Sequence, residues 1–137
     1  MAREIRIRAE ILEEMIRHAR QEPDIECCGL LAGRCHLITS IVPTTNALAS
    51  ATKYEIDPQE LFRFFRRIRE EGLQHLGQYH SHLRTENTPS PTDIEQAYYP
   101  DQAYFIVSPL ADALRPVRAF TIRDGVVQEI EIVILGS

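Results

Sequence analysis

A chain of 137 residues, 44% hydrophobic and 26% charged, fits one globular unit able to bury about two-thirds of its unfolded surface. That balance excludes disordered and collagen-like chains, and no run approaches the roughly 20 apolar residues that a membrane span needs. The net charge of -5 argues against a general nucleic-acid or anionic-membrane binder, and Arg63, Arg66, Arg67 and Arg69 read instead as the solvated face of a helix.

The opening stretch "MAREIRIRAE" alternates charge with isoleucine where a signal peptide needs an apolar block, so a cytoplasmic protein is expected. Ile5 and Ile7 predict a short first strand. Leu12, Met15, Ile16 and Ala19 then fall on one helical stripe, which Pro23 brings to an end. Two short apolar runs follow, Cys27 to Ala32 and Leu37 to Val42, with Gly33 and Arg34 expected to form a tight hairpin turn between them. The three cysteines, Cys27, Cys28 and Cys35, are odd in number, and two of them are adjacent, so a disulfide framework is not expected. They read as buried thiols in a reducing compartment.

"VPTTNALASATKYEID", from Val42, has the composition of a loop. Asp57, Pro58 and Glu60 then supply an N-cap, an N1 proline and an N3 acid for a second helix. Its buried face is Leu61, Phe64, Phe65 and Ile68, and Gly72 ends it. Leu73 to Ser81 reads as a strand, and "AYFIVS", "VRAFTI" and "VVQEIEIVI" read as further strands separated by Pro and Gly turns. With no repeat, linker or low-complexity tract, the expectation is a single domain over residues 1–137. Its fold class is α/β (α+β), a mixed β-sheet flanked by two long helices and one short one.

The polar residues of "GQYHSHLRTENTPSPTD" carry the chemistry. On an extended backbone, His80 and His82 share one face, roughly 6 to 7 Å apart along the strand, so two imidazoles can converge on one ion. A bare H-x-H also arises from paired strand histidines with no metal. Ser90, Pro91 and Asp93 equally form a good helix start, which explains both polar residues as caps. The two readings are compatible, since a first helical turn is also a rigid mount for a ligand. The constellation favours a metal: two His and one Asp are three ligands of the type that leaves a fourth zinc position open for water. Hydrolysis at such a site needs a general base, for which Glu26 is the candidate. A strand-end glutamate exposed to solvent fits its local sequence equally well. His18, His36 and His75 read as structural or solvated.

"ECCGLLAG" at 26–33, "HSH" at 80–82, seven intervening residues and "SPTD" at 90–93 together resemble the JAMM (MPN-plus) metalloprotease signature, E…H-x-H-x7-S-x-x-D. The resemblance extends over most of the chain and implies a fold similar to cytidine deaminases. A deaminase itself is not indicated, because the H-x-E and P-C-x-x-C pattern is absent. Carried over, the resemblance implies one Zn2+ per chain on His80, His82 and Asp93, with Glu26 as the base and Ser90 helping to stabilise the oxyanion. Leu83 stands where many members have proline, which puts the path of the Leu83–Thr88 loop in question.

"TTNALAS", "YEIDPQEL" and "HSHLRTE" are most similar to small bacterial members that free cysteine from the C-terminal Gly-Gly tail of a ubiquitin-like sulfur-carrier protein. The resemblance therefore implies that carrier as partner, with neither nucleic acid nor membrane involved. Two alternatives stay open: an isopeptidase acting on another ubiquitin-like conjugate, and a non-catalytic scaffold module of the same fold. Scaffold members typically lack the ligand set that is present here.

Overall fold

The computed structural model describes residues 4–136. Its elements run β1 (Glu4–Arg8), α1 (Ala9–Gln21), β2 (Cys28–Arg34), β3 (Leu37–Thr44), α2 (Pro58–Glu71), β4 (Gln74–Ser81), α3 (Pro91–Glu95), β5 (Ala103–Val107), β6 (Val117–Arg123) and β7 (Val126–Leu135). The mixed sheet goes further than the sequence predicts and closes into a barrel, in the order β1-β3-β2-β4-β5-β6-β7. Closure comes from parallel pairing of β1 with β7, Glu4 opposite Glu131 through Arg8 opposite Leu135.

Alternation along the strands sorts the side chains onto two faces. Leu31, Ile38, Tyr79, Phe105 and Val107 meet Ile11, Leu12, Met15 and Ala19 of α1 in the larger core. Burial of Ile11, Leu12 and Met15 contributes about 1.5–3 kcal/mol each. Leu30 and Ala32 point the other way, onto Phe64 and Ile68 of α2. Leu61 and Phe65 are only partly buried, while Arg63, Arg66, Arg67 and Arg69 are exposed as expected. The Asp57 carboxylate caps α2 by accepting from the Gln59 and Glu60 N–H groups, and Gly72 ends it at φ 67°. Among the described residues no helix is long and apolar enough to cross a membrane.

Two local expectations are corrected. The β2–β3 turn is Cys35–His36, both at positive φ (53° and 60°) as a two-residue hairpin of mirror-image type requires, and not Gly33–Arg34. Gly33 lies within β2 at a register shift, and the Arg34 guanidinium donates to the Glu71 and Gly72 carbonyls at the end of α2. Cys35 is therefore exposed at a turn, whereas Cys27 and Cys28 are buried. At Gly33 the reason for glycine is close backbone approach, because a Cβ there would collide with the Leu37 carbonyl. Gly33→Ala is expected to cost about 1–3 kcal/mol, seen as a lower urea midpoint at unchanged slope.

Candidate metal centre

Strand β4 pairs antiparallel with β2 and parallel with β5, so its C-terminal end is held from both sides. Ser81 N–H bonds the Cys27 carbonyl at 3.1 Å, and His82 N–H, one residue past the strand, bonds the Val107 carbonyl at 3.0 Å. These bonds fix the backbone that carries His80 and His82, and both imidazoles are buried. Tyr54 stacks on the His80 ring, with centroids 4.3 Å apart and planes 19° from parallel.

Opposite them stands α3, whose first turn forms a complete capping box. Ser90 Oγ accepts from the Asp93 N–H at 3.1 Å, and Asp93 Oδ2 accepts from the Ser90 N–H at 2.9 Å. The same Oδ2 lies 3.2 Å from His80 Nε2 and 3.0 Å from His82 Nε2, and the two Nε2 atoms are 3.2 Å apart. Cap and candidate ligand are thus one carboxylate. Among the described residues this is the one group of three side chains whose ligand atoms converge as an ion requires.

The chemistry of this donor set fits a cation. His82 Nδ1 is 2.8 Å from the Glu86 carbonyl, which fixes the proton on Nδ1 and turns the Nε2 lone pair toward the centre. Two imidazole nitrogens and a carboxylate oxygen then face one another, an arrangement that is repulsive unless a proton or a metal lies between them. Tetrahedral zinc with bonds of about 2.0–2.2 Å keeps its ligand atoms roughly 3.3 Å apart, close to the spacings seen here. Electrostatics agree: burial alone would raise the Asp93 carboxyl, but the His80 and His82 hydrogen bonds outweigh it and hold Asp93 well below the usual carboxylate range. Burial lowers His80. For His82 burial also lowers, yet the bonds to Asp93 and to the Glu86 carbonyl lift it above its ordinary value.

Glu26, in the segment before β2, is buried to 5% exposure, unlike the solvated strand end that its local sequence also allows. Burial raises its carboxyl to about 7, with His82 pulling it down and Asp93 pushing it up. Glu26 and Ser90 line a cleft of about 430 Å³ together with Thr52, His82, Leu83 and Arg84. Leu83, the departure from the expected proline, faces this cleft, and the loop after it is pinned where Asn87 donates to the Ile106 and Arg115 carbonyls.

The other histidines take no part in this cluster. His18 Nδ1 is 2.7 Å from the Tyr79 hydroxyl, His36 is exposed at the hairpin turn, and His75 is packed edge-on by Phe64, Phe65 and Tyr99. Burial lowers His75 to about 4 and raises the Cys27 and Cys28 thiols to about 12 and 11. Sequence reasoning missed Tyr54, reading it only as loop. An aromatic three residues before "DP" was the one available signal.

The family described as prokaryotic homologs of the JAB domain matches residues 8–123. The chain belongs to this JAB (JAMM/MPN) family. Within it, the chain is 36% identical over 125 residues to the CysO-cysteine peptidase of Mycobacterium tuberculosis (strain ATCC 25618 / H37Rv), covering 90% of this chain and 86% of that protein. It is 35% identical over 108 residues to a desampylase of Haloferax volcanii, covering 74% and 78%. The structure is also similar to the solution structure of a Desulfitobacterium hafniense protein, with a TM-score of 0.86 at 34% identity over 97% of this chain and 94% of that one.

Proposed function

We propose that residues 1–137 act as one cytoplasmic zinc-dependent peptidase domain, which cuts after the C-terminal Gly-Gly of a ubiquitin-like sulfur-carrier protein and releases cysteine. The observation that carries this reading is the convergence of His80, His82 and Asp93 at 3.0–3.2 Å beside a cleft that holds a buried Glu26. Similarity to a CysO-cysteine peptidase supports the substrate class. Zinc, when bound, supplies a Lewis acid that acidifies water to a pKa of about 7 and polarises the scissile carbonyl. His80, His82 and Asp93 would hold it.

The chain's own residues then do the proton work. Glu26, kept from solvent in the cleft, accepts a proton from the attacking water and returns it to the leaving amine. Ser90 Oγ already accepts from the Asp93 N–H, so its hydroxyl proton remains available to donate to the oxyanion as charge develops. A Gly-Gly tail suits this approach, having no side chains to collide with the walls.

A second reading, an isopeptidase on a lysine-linked ubiquitin-like conjugate, is favoured by the similarity to a desampylase. Arg84 separates the two. Its exposed side chain lines the cleft, and among the described residues it takes part in no ion pair. A cysteine leaving group carries an α-carboxylate for a guanidinium to bind, whereas a lysine side chain carries none. The zinc-loaded protein should cleave a carrier–Gly-Gly–cysteine adduct, read by mass spectrometry. Arg84→Gln should lower kcat/KM on that adduct about tenfold, or ~1.4 kcal/mol, with isopeptide cleavage unchanged. Cleavage of the isopeptide alone would move the assignment to the second reading. No cleavage of either would leave a scaffold module.

A further inference from the structure

The Glu26 carboxyl takes part in none of the hydrogen bonds found among the described residues, so its aim depends on the main chain beneath it. That main chain is held on both sides by one loop. Glu26 N–H donates to the Ser50 carbonyl at 2.8 Å, and the Glu26 carbonyl accepts from Asn46 Nδ2 at 2.9 Å.

Asn46 is 4% exposed, and its side chain is fully used. Nδ2 donates to the carbonyls of Glu26 and Lys53, and Oδ1 accepts from the N–H groups of Leu48 (3.0 Å) and Glu55 (3.1 Å). Two of these partners, Lys53 and Glu55, flank Tyr54, the residue stacked on His80. Within the same loop Ala49 takes φ 45°, a conformation costly for a residue with a Cβ, and its N–H bonds the Asn46 carbonyl. The loop is therefore bent around a single amide that neither residue of similar shape can replace. Aspartate lacks the two donors, and leucine lacks all four hydrogen-bonding sites.

We infer that Asn46 is a positioning residue: its amide latches residues 44–57 to the main chain of Glu26, and thereby fixes the general base relative to the stacked His80 ring. This inference rests on the proposed peptidase reading and deepens it. Each donor or acceptor stranded in a buried site is costly, so losing the latch frees both the Glu26 carbonyl and the segment that carries Tyr54.

The test uses the full zinc-loaded chain with Asn46→Asp, and with Asn46→Ser as a second variant that is too short to reach both carbonyls. At saturating metal, zinc stoichiometry should stay wild type, since no ligand is removed. On the cysteine adduct kcat should fall about 10- to 100-fold with KM within twofold. Amide hydrogen exchange at Glu26 should quicken about tenfold or more, with or without zinc. Thr45→Val serves as control, because Thr45 is next to Asn46 in the chain and the change removes only its hydroxyl bond to Glu60 of α2 while keeping the backbone one. It should lower stability and leave kcat near wild type.

The inference is overturned if both Asn46 variants keep kcat within twofold, if turnover falls only in proportion to lost zinc, or if Glu26 exchange is unchanged. A wild-type chain that cleaves no adduct would defeat the peptidase reading, and the exchange experiment would still decide the latch.

Discussion

Glu26→Gln is expected to abolish most turnover while leaving zinc content at the wild-type level. Shape and hydrogen-bonding reach are nearly conserved, but the proton-accepting carboxylate is gone. Loss of a positioned general base costs about 10²- to 10⁴-fold, or ~3–5 kcal/mol of transition-state stabilisation. The pH dependence should change with it. Burial raises Glu26 to about 7, and only the ionised form accepts a proton, so wild-type kcat/KM should fall as pH drops through about 7. A bound cation moves that limb lower, and the glutamine variant should lack it.

Stability runs the other way. A carboxyl raised on folding contributes stability below its unfolded value, 4.5, and that contribution is lost as pH rises through about 7. Removing the ionisable group should therefore leave the metal-free variant at least as stable as wild type above pH 7. A near-wild-type rate in the zinc-replete variant would sink the assignment. The base would then have to be sought elsewhere, and Glu86 is a poor substitute, since its side chain is exposed and its main-chain carbonyl serves His82.

How much of this was legible depends on how local the signal is. The α1 stripe, the Asp57 cap and the S-P-T-D turn are written within a few residues of one another, and each forms as read. Ser90 and Asp93 admit two local readings for a physical reason. One oxygen of Asp93 both closes the capping box and faces the two histidines, so the sequence pattern of a cap and of a ligand coincide. The hairpin was misplaced because glycine serves two purposes: turn propensity points to Gly33, but the demand there is room for the Leu37 carbonyl, and the positive-φ positions fall on a cysteine and a histidine.

Long-range features left no local trace. Barrel closure joins β1 to β7, near opposite ends of the chain, and alternating isoleucines fit an edge strand as well as a closing one. Burial of Glu26 depends on residues 46–52 folding over it, a stretch whose composition reads only as loop. The same holds for Asn46 and Tyr54. Their roles arise from partners 20 or more residues away, Glu26 for one and His80 for the other, so neither shows as a periodicity or a cap.

The second large effect concerns the metal. A His80→Ala, His82→Ala double variant should bind no stoichiometric zinc, as measured by atomic absorption after equilibration with equimolar ion. Wild type should hold about one zinc per chain. The argument is one of donor count: Asp93 alone would remain, and an open site is held by three protein ligands. The cysteines give no refuge. Cys27 and Cys28 are buried, with thiols pushed up to about 12 and 11, and a metal needs the thiolate. Zinc at a hundredfold excess over its Kd should stabilise wild type by about 2.7 kcal/mol, a rise in Tm that a chelator reverses, and should leave the double variant unmoved. Asp93→Asn should fall between the two. An asparagine oxygen can still accept the Ser90 N–H and keep the first turn of α3, so the fold should survive, but the ligand loses its charge and zinc affinity should drop. Full zinc occupancy in the double variant would place the metal away from β4 and α3, and with it the proposed chemistry.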